Sequence, residues 1–227
     1  MHRQATNLHF NGERDYVHGP NILEIFRQFA LDCTGQKDEA LEVKKYAIHK
    51  MIHQNGELRF FNDLSKQAMD HGALAELKGR IGQSVVAVGL YRSDDRPIHE
   101  RRLSIEKDLV REVTLASPFA GSAQLWRLDS PYNLIQAIVE ANKQLHLSTV
   151  SDRVTRRLPK FKFVGCNGLQ IPSVLPTDTA RIEVSHLGLQ SFGQYKFTSN
   201  RMELELNGES RAFVIGFASD EIDEFTV

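Results

Sequence analysis

The chain has 227 residues, with 28 basic and 29 acidic side chains and a net charge of −1. That balance gives no electrostatic reason to bind nucleic acid or an anionic membrane surface. With 41% hydrophobic residues and a longest apolar run of only Val85–Leu90, the composition is that of a globular protein without a membrane-spanning helix.

Residues 5–10 read as a first strand and Gly12 to His18 as a loop. Gly19-Pro20 opens a helix, proline being suited to a first turn, and the helix ends near Asp32 to Gly35. Glu42 to His53 is expected to be a strand that turns at Asn55-Gly56 and returns through Glu57 to Phe61, since Asn-Gly is a strong hairpin signal. A second helix is predicted over Leu64 to Lys78. Ser84 to Tyr91 and Ile98 to Ile105 read as a strand pair across Asp94-Asp95-Arg96-Pro97. The order then repeats. Strands at Val110 to Ala116 and Ala123 to Arg127 lead to Ser130-Pro131, which opens a helix running to about Leu147. After a basic connection, Ser148 to Pro159, come strands at Phe161 to Gly165, Ala180 to Leu187, Gln194 to Leu206 and Ser210 to Ala218. The last two join at Asn207-Gly208. Met202, Leu204 and Leu206 alternate with Glu203 and Glu205, which marks a sheet with one wet face.

Both helices, over Asn21–Asp32 and Asn133–Leu147, are apolar nearly all round and so are expected to be buried. Each carries a polar stripe at i, i+3 and i+7: Asn21, Glu24 and Gln28 in the first, Asn133, Gln136 and Glu140 in the second. Two related repeats follow, 1–108 and 109–227, of α+β class. Cys33 and Cys166 cannot build a disulfide framework and read as free buried thiols. Met1 to Asn11 has no apolar core of a leader, so a cytoplasmic location is expected.

Phe161-Lys162-Phe163-Val164 through Pro176-Thr177-Asp178-Thr179-Ala180-Arg181-Ile182-Glu183-Val184 resembles the segment after the central helix in β-hydroxyacyl-ACP dehydratases and related thioester proteins of the hot-dog fold. Threonine stands where that pattern has glycine. The resemblance implies a double hot-dog: two antiparallel sheets, each wrapping a buried central helix. It implies an acyl thioester as substrate, carried on the phosphopantetheine of an acyl carrier protein (ACP) or CoA, with no further cofactor, and dehydratase- or thioesterase-type chemistry. It departs from the dehydratase pattern at both sites. If Glu24 is the helix carboxylate, Phe10 stands where the histidine belongs; in the second repeat Gln136 and Ser122 replace the pair. Glu13 to Glu24 also resembles the AfsA-like (A-factor synthase) motif of an arginine, a Val-His pair and a glutamate, which implies acyl transfer. The missing dehydratase pair gives weight to a third reading, a non-catalytic acyl-thioester-binding module.

His18 and Glu24 are the candidate catalytic residues. A histidine titrates near neutrality, and a carboxylate on a buried helix must be paired or face a polar cleft. Gly19, with a backbone N–H at the helix start, is a candidate for holding an oxyanion. Asn21 and Gln28 in the first repeat, and Asn133 and Gln136 in the second, complete the candidate substrate-binding residues. Arg153, Arg156, Arg157, Lys160 and Lys162 are candidates for receiving the phosphopantetheine phosphate or an acidic carrier protein. The remaining histidines show no metal-ligand spacing, so no metal is expected. No nucleic-acid or membrane partner is expected, and a homodimer is left open.

Overall fold

The computed structural model describes residues 2–62, 72–117, 120–151, 161–175, 178–192 and 195–219. In chain order the elements are β1 (His2–Ala5), β2 (His9–Asn11), α1 (Gly19–Thr34), β3 (Leu41–Ile48), β4 (Gln54–Phe61), β5 (Ala73–Ile81), β6 (Ser84–Pro97) and β7 (Glu100–Arg102). After a short 3₁₀ turn at Glu106–Leu109 come β8 (Val110–Ser117), β9 (Ala120–Leu125), α2 (Pro131–Ser151), β10 (Phe161–Asn167) and β11 (Gln170–Ile171). The last three are β12 (Ala180–Phe192), β13 (Tyr195–Leu206) and β14 (Glu209–Ser219). The chain forms two compact units. The first holds residues 1–104 together with 164–174, the second residues 105–163 and 175–227.

In the first unit the strand order is β1-β4-β6-β5-β3, all antiparallel, and both β10 and β11 pair with β3. The helix α1 is buried over Gly19–Leu23, at Phe26 and Arg27, and over Phe29–Leu31. Its end follows from Gly35, which adopts φ 69° and donates its N–H to the Leu31 carbonyl, a left-handed cap that glycine takes without strain. Phe26 meets Tyr46 of β3, and Phe29 meets Phe60 of β4, both edge-on. β2 and β7 form a separate parallel pair, with His9 opposite Glu100 and Asn11 opposite Arg102.

In the second unit the order is β14-β13-β12-β9-β8, again antiparallel. The Ser130 hydroxyl accepts the Asn133 N–H at 3.2 Å, and Pro131 follows it, so α2 starts as its sequence requires. Its residues Asn133 to Ala141 are all buried. The β13–β14 hairpin turns at Asn207 (φ 52°) and Gly208 (φ 78°), as the Asn-Gly pair predicts. Met202 and Leu204 are buried between exposed Glu203 and Glu205, the expected alternation.

Three expected elements are corrected. The helix over Leu64 to Lys78 lies partly outside the described residues, and its remainder is β5, a strand with Ala73, Ala75, Leu77, Gly79 and Ile81 buried. Alanine, leucine, glutamate and lysine favour helix, but burial on a period of two overrides that weak preference. No turn lies at Asp94 to Pro97; β6 runs through it, and β7 pairs with β2 instead. Asn55-Gly56 is not a hairpin either. It sits inside β4, where Asn55 accepts the Leu8 N–H at 2.7 Å and donates to the Pro97 carbonyl at 3.0 Å. Gly56 lets strands close up, since a Cβ there would lie 2.5 Å from the Tyr91 carbonyl oxygen. Gly56→Ala is therefore expected to cost about 2 kcal/mol in urea unfolding, the scale of forced overpacking. An unchanged midpoint would show that the strand pair can spread at no cost.

Candidate active site at the start of the first central helix

Four polar side chains, His9, Asn11, His18 and Asn21, gather at the N-terminus of α1, and none is more than 9% exposed. Such burial is costly unless the groups pair. Asn11 and Asn21 pair amide to amide, each donating to the other at 3.3 and 3.2 Å. The Asn21 amide nitrogen also lies 3.0 Å from Nε2 of His9. With that nitrogen as donor, Nε2 accepts and the His9 ring carries its proton on Nδ1. Burial holds the His9 pKa below the ordinary histidine value, the Arg102 charge adds to this, and Glu100 partly opposes it.

The loop leading to α1 is tied down from several sides. Arg101 donates to the carbonyls of Gly12 and, at 2.9 Å, Arg14, while Arg14 donates to that of Asn11 at 3.2 Å. His53 Nδ1 donates to the Asp15 carbonyl at 2.7 Å, and Val17 N–H to that of Ile52 at 2.8 Å. His18 follows as the N-cap residue, with extended backbone and its carbonyl accepting the Asn21 N–H at 2.9 Å. Its imidazole makes no capping hydrogen bond. The ring is thus placed by the backbone without being used to cap the helix. Pro20 has no N–H, so Gly19 supplies the donor at the helix start, where the macrodipole favours negative charge. The Tyr46 hydroxyl donates to the Gly19 carbonyl at 2.9 Å and fixes this turn. Burial raises the Tyr46 pKa well above the usual value, so it stays a neutral donor. Across the strand pair from it, Cys166 is buried and its thiol is pushed up, as expected of an inert core cysteine. Cys33, expected to be buried, is half-exposed.

Glu24 and Gln28 do meet, at 2.7 Å, but in a different group. The Glu24 carboxylate takes two hydrogen bonds from Arg27, at 2.7 and 2.8 Å, besides the one from Gln28. Gln28 itself is exposed. In α2, Glu140 accepts from Lys143 at 3.3 Å and Gln144 at 3.2 Å, the same Glu-x-x-basic-Gln arrangement. By contacts, the counterpart of Glu24 is therefore Glu140. The pattern lies 116 residues on, although the helices begin 112 apart, at Gly19 and Pro131.

At the start of α2, Asn133 donates to the Arg127 carbonyl at 3.3 Å and to the Asp129 carboxylate. Gln136 donates to the Tyr132 hydroxyl at 2.9 Å. Neither group contains a side chain that titrates near neutrality. Arg153, Arg156, Arg157 and Lys160 lie outside the described residues. Among the described residues there is no cluster of metal-ligating side chains, and no helix is long and apolar enough to cross a membrane.

The residues missed from sequence are His9 and Asn11. His9 stands one place from Phe10, where the dehydratase pattern wants a histidine, and it reaches the helix because β2 pairs with β7. Since His9 holds its charge off when folded, the unfolded chain binds the extra proton. Stability from this group is complete above about pH 6.5 and declines as pH falls below it. The stability difference between wild type and His9→Gln should accordingly shrink between pH 7 and pH 5 in urea titrations. A pH-independent difference would mean that the His9 ring is not held neutral by folding.

No family model matches the sequence, and no curated protein is detectably similar to it. Solved structures are similar. The dehydratase domain from the CurJ module of curacin polyketide synthase shares 11% identity, with a TM-score of 0.55 over 96% of this chain and 90% of that one. GphF dehydratase 1 shares 12%, with a TM-score of 0.53 over 97% and 93%. A conserved protein of unknown function with a hot-dog fold, from Alicyclobacillus acidocaldarius, shares 9%, with a TM-score of 0.52 over 98% and 93%. With a central helix and an antiparallel sheet in each of its two units, the chain has the hot-dog fold in two copies.

Proposed function

We propose that the protein acts on an acyl thioester, carried on the phosphopantetheine of an acyl carrier protein or on CoA, at the N-terminus of α1. The observation that carries this is the buried group His9, Asn11, His18 and Asn21, set at the end of the central helix of a hot-dog unit. The similarity to dehydratase domains favours elimination of water from a 3-hydroxyacyl thioester. In that reaction the thioester carbonyl oxygen sits at the Gly19 N–H, where the helix end stabilises the enolate. His18 takes the proton from Cα, the Cα–Cβ double bond forms as the Cβ–O bond breaks, and the same proton leaves with the hydroxyl as water. His9, Asn11 and Asn21 hold the end of the helix in place. Glu24, already accepting three hydrogen bonds, orients α1 through Arg27 and Gln28.

The test is incubation with 3-hydroxyacyl and saturated acyl thioesters on pantetheine, CoA and carrier protein, following enoyl product and free thiol separately. Enoyl product without thiol release is the expected result. Thiol release with free acid would assign hydrolysis instead. Release only with a hydroxylated acceptor would assign AfsA-like acyl transfer. Binding without turnover would make the protein a non-catalytic module.

A further inference from the structure

The outward face of the second unit's sheet holds a hollow of about 250 Å³ that the proposed chemistry does not use. Its charged rim, Arg181, Glu183, Arg201 and Glu203, alternates along β12 and β13 with the buried Ile182, Met202 and Leu204. The edge strand β8 shifts register against β9 twice, between Arg111 and Thr114 and between Leu115 and Ser117, and Glu112 takes φ 50°. Such bulges bend a strand out of a flat face. Short side chains at Ala116, Ala120 and Ser122 leave the space beside it unfilled.

Glu183 and Glu203 are register partners on adjacent strands, and Ser122 stands opposite Glu183 on its other side. Like charges placed opposite one another are destabilising. Arg181 pairs with Glu183 at 3.1 Å, and the Ser210 hydroxyl donates to Glu203 at 2.6 Å. Arg201, two residues from Glu203 on the same face, joins neither carboxylate. Among the described residues its guanidinium has no ion pair or hydrogen bond. The rim therefore carries two positive and two negative groups, with one fork of donors left open. A bare anion there would meet two carboxylates and a bare cation two guanidiniums, whereas a molecule carrying both charges meets neither conflict.

We propose that this hollow binds a small zwitterion, an α-amino acid, with its carboxylate on Arg201 and its ammonium between Glu183 and Glu203. The guanidinium fork matches the two oxygens of a carboxylate. An ammonium has three donors, which the two glutamates and the Ser122 hydroxyl can take. Its charge also relieves the opposition of the glutamates. The volume falls below the roughly 300–1,000 Å³ of sites for drug-sized ligands, as suits so small a molecule. All the lining residues belong to the second unit, and the assignment does not depend on the acyl-thioester reading of the first.

The test is calorimetric titration of the whole chain with the standard amino acids, their amides and their N-acetyl derivatives. At least one free amino acid should saturate the protein. Its amide, which lacks the carboxylate, and its N-acetyl form, which lacks the ammonium, should each bind at least roughly tenfold more weakly, the scale of one charge-assisted hydrogen bond. Arg201→Gln should bind the free acid and the amide alike, and Glu203→Gln should narrow the preference for the free amine. Both positions are exposed, so the fold should survive, and circular dichroism checks it. Should a variant misfold, the comparison of the three ligand forms on wild type decides alone. No saturable binding of any amino acid at millimolar concentration overturns the inference. So does an amide or inorganic phosphate binding as tightly as the free acid, or a folded Arg201→Gln that keeps the preference. Acyl-thioester turnover in the same preparations reads the other proposal separately.

Discussion

Replacing His18 by alanine should lower turnover of a 3-hydroxyacyl thioester by roughly 10²-fold or more, the usual scale for losing an acid–base group. The helix should survive the change, because the capping is done by the His18 backbone carbonyl, and the imidazole makes no capping bond. His18→Gln sharpens the test: it keeps most of the volume and the capacity to hydrogen-bond but cannot change protonation near neutrality. Both variants should be comparably slow. Gln136→Ala, in the second unit, should stay within a few-fold of wild type, because an amide moves no proton. One working site per chain, in the first unit, is thereby expected. Full activity in His18→Gln, or its collapse in Gln136→Ala with folding intact, would reverse that assignment.

Arg27→Met should be strongly destabilising. The guanidinium is 6% exposed and makes both of its short contacts with a carboxylate that is 17% exposed. Removing it leaves Glu24 largely desolvated with one amide partner, a change worth about 3 kcal/mol. The partial exposure of Glu24 places the figure at the low end for a buried pair. The double variant Glu24→Leu/Arg27→Met removes both charges and should recover most of the loss. Lys143→Met in α2 should cost about as much, because the Glu140 carboxylate it leaves behind is only 8% exposed. Urea unfolding of the four proteins gives the comparison. A double variant no more stable than Arg27→Met would mean that packing of the arginine stem, and not its charge, holds the helix.

The central helices and the Asn207-Gly208 hairpin were legible in the sequence because each is a local signal: a proline-led apolar segment, or two residues suited to positive φ. What escaped was set by distant pairing. Asn55-Gly56 carries the same letters as a hairpin, yet its amide is claimed by Leu8 and Pro97 and its missing side chain by Tyr91. β5 has the composition of a helix and the burial of a strand. Of the site, His18, Gly19 and Asn21 could be named from their place before and within the first turn of the helix. His9 and Asn11 could not, because only the parallel pairing of β2 with β7 carries them there, and one residue of register separates His9 from the expected Phe10. For Glu24 the sequence leaves a base and an ion-paired anchor both open, because nothing in the spacing of a glutamate three residues from an arginine distinguishes them.

The offset between the two Glu-x-x-basic-Gln groups bears on how such a chain can grow. The helices begin 112 residues apart and the groups lie 116 apart, so α2 has four more residues ahead of its copy. At about 100° per residue, four residues add one turn and only about 40° of rotation. A duplicated helix can therefore accept an insertion of that length and keep the same side facing its sheet. Two or three residues would swing it through about 200° or 300° and bury the wrong side. Divergence between such copies is thus expected to proceed in whole turns, which lets one copy deepen its interior while the other keeps the shorter form.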